Sequence, residues 1–297
     1  MSRTDLGSPD AENQRAARGA NSGADRVLPA TRVVAIALLP FLAVAVVLLF
    51  LFPDRTGELF AWAIAPPLTA YLLASAYVGG IWFFVAVAFT SRWHRVAPGF
   101  PAVIVFAGAL LAATLLHLDK FSQNISFYTW VTLYATTPFV VAWLWWMQRG
   151  RDDGRLEASD CRVPRFVRAI MLAVGAASLV TGAVLFFAPT LVIPMWGWDL
   201  TPLTARVTGA ILSLPGVVAA SFLRDDRWSS FRILFQAQLV SLVAMVCSLV
   251  VGREALHWDR PATPAFLGLI GVAFVGYATL MIAMEVRLRR APAAPGR

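Results

Sequence analysis

Long apolar runs separated by short polar breaks dominate this chain, with no period-two alternation between them. Eight such runs fall at 33–52, 67–89, 101–117, 127–147, 164–188, 202–223, 231–251 and 264–286. A run of about 20 apolar residues crosses the hydrocarbon core of a bilayer as a helix. Backbone groups in lipid must pair within their own segment, so each run reads as helical. The ten-residue alternating segments of a membrane barrel are absent. The expected fold is an all-α membrane protein with eight transmembrane helices. Thr201-Pro202 and Thr263-Pro264 place a hydroxyl at N-cap and a proline at N1, where its missing N–H costs nothing. Pro101 and Pro164 suit the same N1 position.

The polar stretches divide the chain. Residues 1–30 are rich in Ala, Gly, Ser and Asp without apolar period and read as a disordered tail. Residues 149–163, a mixture of Arg, Asp and Glu, form a linker, and 289–297 a second tail. The first apolar run is too long for a signal-peptide core and reads as retained.

Landmarks recur in order along the two halves. Leu-Phe-Leu-Phe-Pro53 matches Leu-Phe-Phe-Ala-Pro189, and Pro67-Leu-Thr-Ala70 matches Pro202-Leu-Thr-Ala205 letter for letter. Arg92-Trp93 matches Arg227-Trp228, and Leu116-His117-Leu118-Asp119-Lys120 matches Leu256-His257-Trp258-Asp259-Arg260. The offsets are 136, 135, 135 and 140. The chain therefore reads as two tandem parallel four-helix repeats, 31–148 and 164–288, with the same orientation because each holds an even number of spans.

Composition and charge sharpen this picture. Mean hydropathy of +0.68, with 59% hydrophobic and 14% charged residues, excludes an ordinary soluble domain. The net charge of +8 is no sign of a nucleic-acid partner, because the bases flank the spans. Counting Lys and Arg gives 20 on the side of the termini and linker against 5 on the other. By the positive-inside rule both termini are cytoplasmic, in a multi-pass plasma-membrane protein whose first partner is the lipid bilayer. Cys161 in the linker and Cys247 in mid-span lie at different depths, which argues against a disulfide.

The stretch Gly182–Pro215 resembles the four-helix DoxX-like membrane families. It has a helix ending at Phe-Phe-Ala-Pro189, then Met195-Trp-Gly-Trp198, Thr-Ala-Arg206 and Gly209. The paired Leu-His-x-Asp-base motifs resemble those of uncharacterised integral membrane proteins of actinobacterial type. Neither resemblance implies a catalytic residue or an activity.

Candidate chemistry gathers on the side opposite the termini: His117, Asp119, Lys120, Asp199, Arg206, His257, Asp259 and Arg260. One reading is a metal or proton site with one His and one Asp from each half. On a helix, however, residues i and i+2 diverge by about 200°. The other reading is helix-end chemistry, with each Asp held by its adjacent base. Arg206 lies one turn into its span, with Asp199 or Asp259 as the expected partner; it can serve a site or snorkel to water. Gly79-Gly80 opposite Pro215, and Pro138 after Thr136-Thr137, can mark broken helices around a substrate path; prolines and glycines are frequent in membrane helices, and plain kinks are the favoured reading. Gly175, Ser178, Gly182, Gly268 and Gly271 read as close-packing faces. The tryptophans read as belts, with Trp62, Trp130, Trp196, Trp198 and Trp258 on one side and Trp93, Trp143, Trp145, Trp146 and Trp228 on the other. His94 reads as part of the basic flank.

No phosphate loop, His-Glu-x-x-His, Gly-x-Ser-x-Gly or Cys-x-x-Cys occurs, so no catalytic residue, metal or cofactor is expected. Mid-span acids are also missing, which argues against an ion-coupled pump. The expected function is a membrane-embedded binding or scaffold protein meeting a lipid headgroup or an envelope protein. A small-solute transporter or channel between the repeats and a metal-dependent membrane enzyme stand as alternatives.

Overall fold

A computed structural model describes residues 25–152, 154–157 and 160–290. The tail call on 1–24 lies outside them, as does 291–297. Eight long helices carry the architecture: α1 Pro29–Leu51, α2 Pro67–Phe89, α3 Gly99–Leu116, α4 Ile125–Gln148, α5 Arg165–Phe187, α6 Pro202–Ala220, α7 Trp228–Val251 and α8 Ala262–Arg290. Single-turn helices at Thr56–Leu59 and Pro189–Val192 follow α1 and α5. Among the described residues there is no strand, only the isolated bridges Trp62–Phe121 and Arg162–Arg227.

Seven of these helices are long and apolar enough to cross a membrane. The other, α4, has 24 residues, diluted by Thr, Tyr, Trp and Pro138. Its ends still reach as far as those of its neighbours. At one end Asn124 caps the helix and donates to the carbonyls of Glu58 and Phe60. At the other, the buried Gln148 amide accepts from Leu28 N–H and donates to Thr31 at the start of α1.

The helix starts follow the sequence in part. Thr201 caps α6 in a reciprocal box with Thr204, and Pro202 and Pro67 are first residues of their helices. Thr263 is not a cap: α8 begins at Ala262, and the Thr263 hydroxyl donates instead to the His257 carbonyl at 2.5 Å. Likewise α3 begins at Gly99, before Pro101, and Pro164 is the N-cap of α5. Pro40, Pro138 and Pro215 lie within unbroken helices, as do Gly79-Gly80. Residues 25–28 pack against the 91–94 loop, so the part of the expected tail from Asp25 onward belongs to the fold.

Helices pair as α1 with α2, α3 with α4, α5 with α6, and α7 with α8. The contacts joining these pairs are α2 with α7, α3 with α6, and α2 with α6. The first and second halves of the chain are therefore interleaved, each sending its third helix against the second helix of the other. Between α5 and α6 the backbones touch. A Cβ on Gly182 would meet the Gly209 carbonyl at 2.6 Å, and one on Gly216 would meet Leu179 at 2.6 Å. Ser178 adds a hydrogen bond to the Leu212 carbonyl. This bears out the small-residue face expected on that helix, since lipid supplies no hydrophobic drive and close packing must hold helices together. Gly268 and Gly271 of α8 do not behave so: a Cβ there meets nothing within 4 Å.

The tryptophan belts need correction too. Trp62, Trp93, Trp198 and Trp228 are at most 2% exposed, and Trp130 and Trp196 are also buried. Large rings this deep fill the core at the two rims of the bundle rather than meeting headgroups. Trp143, Trp146 and Trp258 remain exposed.

Candidate functional site

The bundle has two polar rims. On the rim away from the linker, the expected site residues divide into separate small groups. His117 closes α3, and its Nε2 lies 2.7 Å from Arg206 Nη1. Arginine can only donate, so Nε2 accepts and the imidazole is neutral. Burial first, and then the Arg206 charge, hold His117 below its ordinary pKa. Asp119 pairs with Lys120 at 2.9 Å, both exposed, and that hydrogen bond leads the lowering of the Asp119 pKa.

His257 does not repeat this arrangement. Its Nε2 donates to Asp199 at 2.9 Å, and Arg260 donates to the same oxygen at 3.2 Å. Slight burial opposes ionisation of Asp199, but His257 and Arg260 together hold its carboxyl low. Arg260 also reaches the Trp196 carbonyl, so it does not pair with its neighbour Asp259, which is exposed. The expected partnership of Arg206 with Asp199 or Asp259 is replaced by His117.

The twin motifs are thus not twins in space. His117 ends α3 and is followed by a single tight turn, Leu118–Lys120; Gly252 ends α7 and is followed by Arg253–Ala255. After those turns Ser122 donates its N–H to Ala61, and His257 donates its N–H to Gly197. His257 thus follows its turn, as Ser122 does, whereas His117 precedes its turn, as Gly252 does. Among the described residues no three His, Cys, Asp or Glu side chains gather closely enough to hold a metal ion.

The linker rim carries a denser network that the sequence reading missed. His94 is 3% exposed. Its backbone N–H and Nδ1 both bond to Asp25, at 2.9 and 2.5 Å. Burial pushes the Asp25 carboxyl up, but the two His94 hydrogen bonds outweigh it and hold the group low. Asp160 in the linker takes the N–H and hydroxyl of Ser229 at 3.0 and 2.5 Å. Arg227, 5% exposed, is bound by Asp225 and Asp152. Burial opposes both charges there; their mutual hydrogen bonds win, lowering Asp225 and raising Arg227. Glu157 reaches Arg92 and Arg95. The linker is thereby strapped to the 91–95 loop by Glu157 and to the 225–229 loop by Asp152 and Asp160. A lone acid in a polar stretch has no local pattern, so only the fold reveals these partners.

Between the rims, a cavity of about 130 Å³ lies where α2, α3, α6 and α7 meet. Aromatic rings dominate its wall, with Tyr77, Phe83, Phe84, Phe106, Phe235 and Tyr277 among the lining residues. No charged side chain lines it. The remaining polar groups are Gln238 and Ser241, and the Ser241 hydroxyl is already bonded to the Ser75 carbonyl. Opposing walls match in a regular way. Gly79 and Leu214, Gly80 and Pro215, Ala102 and Ala237, and Val103 and Gln238 all line it, each pair 135 residues apart (238 − 103). None of the polar residues expected to form a site on the outer face is in this wall, whereas Gly79, Gly80 and Pro215 are.

Comparison of the chain with protein-family models, curated proteins and solved structures found no match.

Proposed function

We propose that this is an integral membrane binding protein whose chamber is the cavity between two tandem, parallel four-helix halves. The observation carrying this is the wall of that cavity: apolar, uncharged, and built from residues in pairs at one constant spacing. The same spacing recurs at the linker rim. Asp25 with His94 parallels Asp160 with Ser229, and buried Trp93 parallels buried Trp228. Helix contacts also repeat: α1–α2 parallels α5–α6, and α2–α7 parallels α6–α3. A pseudo-two-fold axis along the membrane normal passes through the cavity on this reading, and α4 counts as the eighth span. The DoxX-like resemblance of the second half is in keeping with a four-helix unit used twice.

Orientation rests on the excess of basic residues at the linker rim, which puts both termini in the cytoplasm of a plasma-membrane protein. A transporter would need polar or charged groups along the inter-half seam. The cavity wall offers few, and this favours binding over transport. A headgroup or envelope partner at the opposite rim is the second reading, but the three bases of the candidate site are already engaged there: Arg206 by His117, Lys120 by Asp119, Arg260 by Asp199.

Native mass spectrometry of the full chain, gently extracted from its membrane, tests the chamber. A small bound species is expected on the wild type and not on Val103→Trp, which fills the cavity. Retention by that variant, or no bound species on either, overturns the reading.

A further inference from the structure

At two places in the chamber wall a residue of α3 has a polar counterpart 135 positions on: Phe106 has Ser241, and Val103 has Gln238. Ser241 is already bonded to the Ser75 carbonyl, so the Gln238 amide, where α3 carries Val103, is the polar group left over. Tyr277 of α8 adds a phenol to the same wall. Both residues lie at least about 15 Å from either end of their helices, at 1.5 Å rise per residue. Bulk water is remote at that depth. Both residues are half-buried, and among the described residues neither the Gln238 amide nor the Tyr277 hydroxyl makes a hydrogen bond, which such groups require at the depth of a bilayer core. The other polar groups nearby are satisfied: Tyr77 bonds Tyr134 at 2.8 Å, and Ser241 bonds Ser75.

We infer that the cavity takes a neutral planar ring bearing a hydroxyl or carbonyl, with Gln238 and Tyr277 as its polar recognition pair. This rests on the chamber reading above and names its ligand class. Three properties of the wall select that chemistry. The volume of about 130 Å³ approaches that of engineered cavities that hold benzene, at roughly 150 Å³. Rings such as those of Phe235 and Tyr277, 4.8 Å apart, offer stacking and edge contacts to a flat guest. An amide and a phenol each donate and accept, so they satisfy either a hydroxyl or a carbonyl, while a charge would find no counter-ion. Gly79 and Gly99 keep the space by admitting their neighbours closely: a Cβ on Gly99 would lie 2.4 Å from the Phe83 ring.

The test uses a matched pair of probes, 4-methylphenol and p-xylene, which share shape and differ in the hydroxyl. Thermal unfolding of the detergent-purified full chain is followed with each. Wild type should bind 4-methylphenol about tenfold more tightly than p-xylene, the size of one good hydrogen bond. Gln238→Val installs the residue that the first half carries, so folding is expected to persist. In it, and in Tyr277→Phe, the preference should fall about three- to tenfold while p-xylene binding stays. Equal binding of the two probes by wild type, or a preference that survives in the double variant, overturns the recognition pair and leaves the chamber standing. No stabilisation by either probe overturns the chamber as well.

Discussion

Asp25 and Asp160 make the same pair of bonds on the linker rim, each accepting a backbone N–H and a side-chain hydrogen bond from the residue after an Arg-Trp pair. For Asp25 that residue is His94, for Asp160 it is Ser229, and the four distances lie between 2.5 and 3.0 Å. A carboxyl group that accepts from two N–H or O–H donors ties the entry of a membrane helix to the loop beside it. Here it ties the starts of α1 and α5.

From this pairing, Asp25→Ala and Asp160→Ala are each expected to lower unfolding stability by about 1–3 kcal/mol. In a His94→Ala background the cost of Asp25→Ala should shrink by about 1 kcal/mol, since one partner is already gone. Denaturant titration in detergent measures this, and strict additivity of the two substitutions would count against a direct bond.

The His117–Arg206 contact predicts a pH dependence. His117 has its pKa lowered in the folded state, so on acidification the unfolded chain takes up its proton first. Stability from this contact is therefore present above pH 6.5, the ordinary value, and is lost as pH falls through the lowered folded value. Melting curves between pH 8 and 5 (about the range where imidazoles titrate) should show a smaller fall in His117→Gln than in wild type. An unchanged slope sinks the assignment.

Small-residue packing gives a sharp contrast between helices. Gly209→Ala would put a methyl 2.5 Å from the Gly182 carbonyl, an overlap costing about 1–3 kcal/mol. Gly268→Ala meets nothing within 4 Å and should be neutral or slightly stabilising. Comparable effects at the two sites would contradict the packing of α5 on α6.

Topology is open to direct labelling. In a background lacking Cys161 and Cys247, Asp119→Cys should react in intact cells with an impermeant thiol reagent, and Arg224→Cys only after permeabilisation. Both positions are exposed, so burial cannot mimic sidedness. The reverse pattern would invert the orientation.

The helices themselves were legible from sequence. Apolar length and proline placement located all eight long helices to within a few residues, and the Pro67 and Pro202 starts fell where expected. This works because helix formation in lipid is a local matter of pairing backbone groups within one segment. The tight face of α5 was readable for the same reason, as glycines and a serine at helical spacing mark a surface whatever packs there. Which surface meets which partner is not local. A Leu-His-x-Asp-base string looks the same whether it ends a helix or follows a turn, and here His117 precedes its turn while His257 follows one, beside the Gly197 carbonyl. Tryptophans at span ends look like interfacial anchors until neighbouring helices cover them, as happens to Trp62, Trp93, Trp198 and Trp228. Asp25, Asp152 and Glu157 sit in polar stretches with no period, and only the folded chain brings Arg and His to them. Sequence alone therefore determined where the helices begin and end; the tertiary structure decided how they interleave, because that depends on each helix's rotation and on contacts made between residues far apart in the chain.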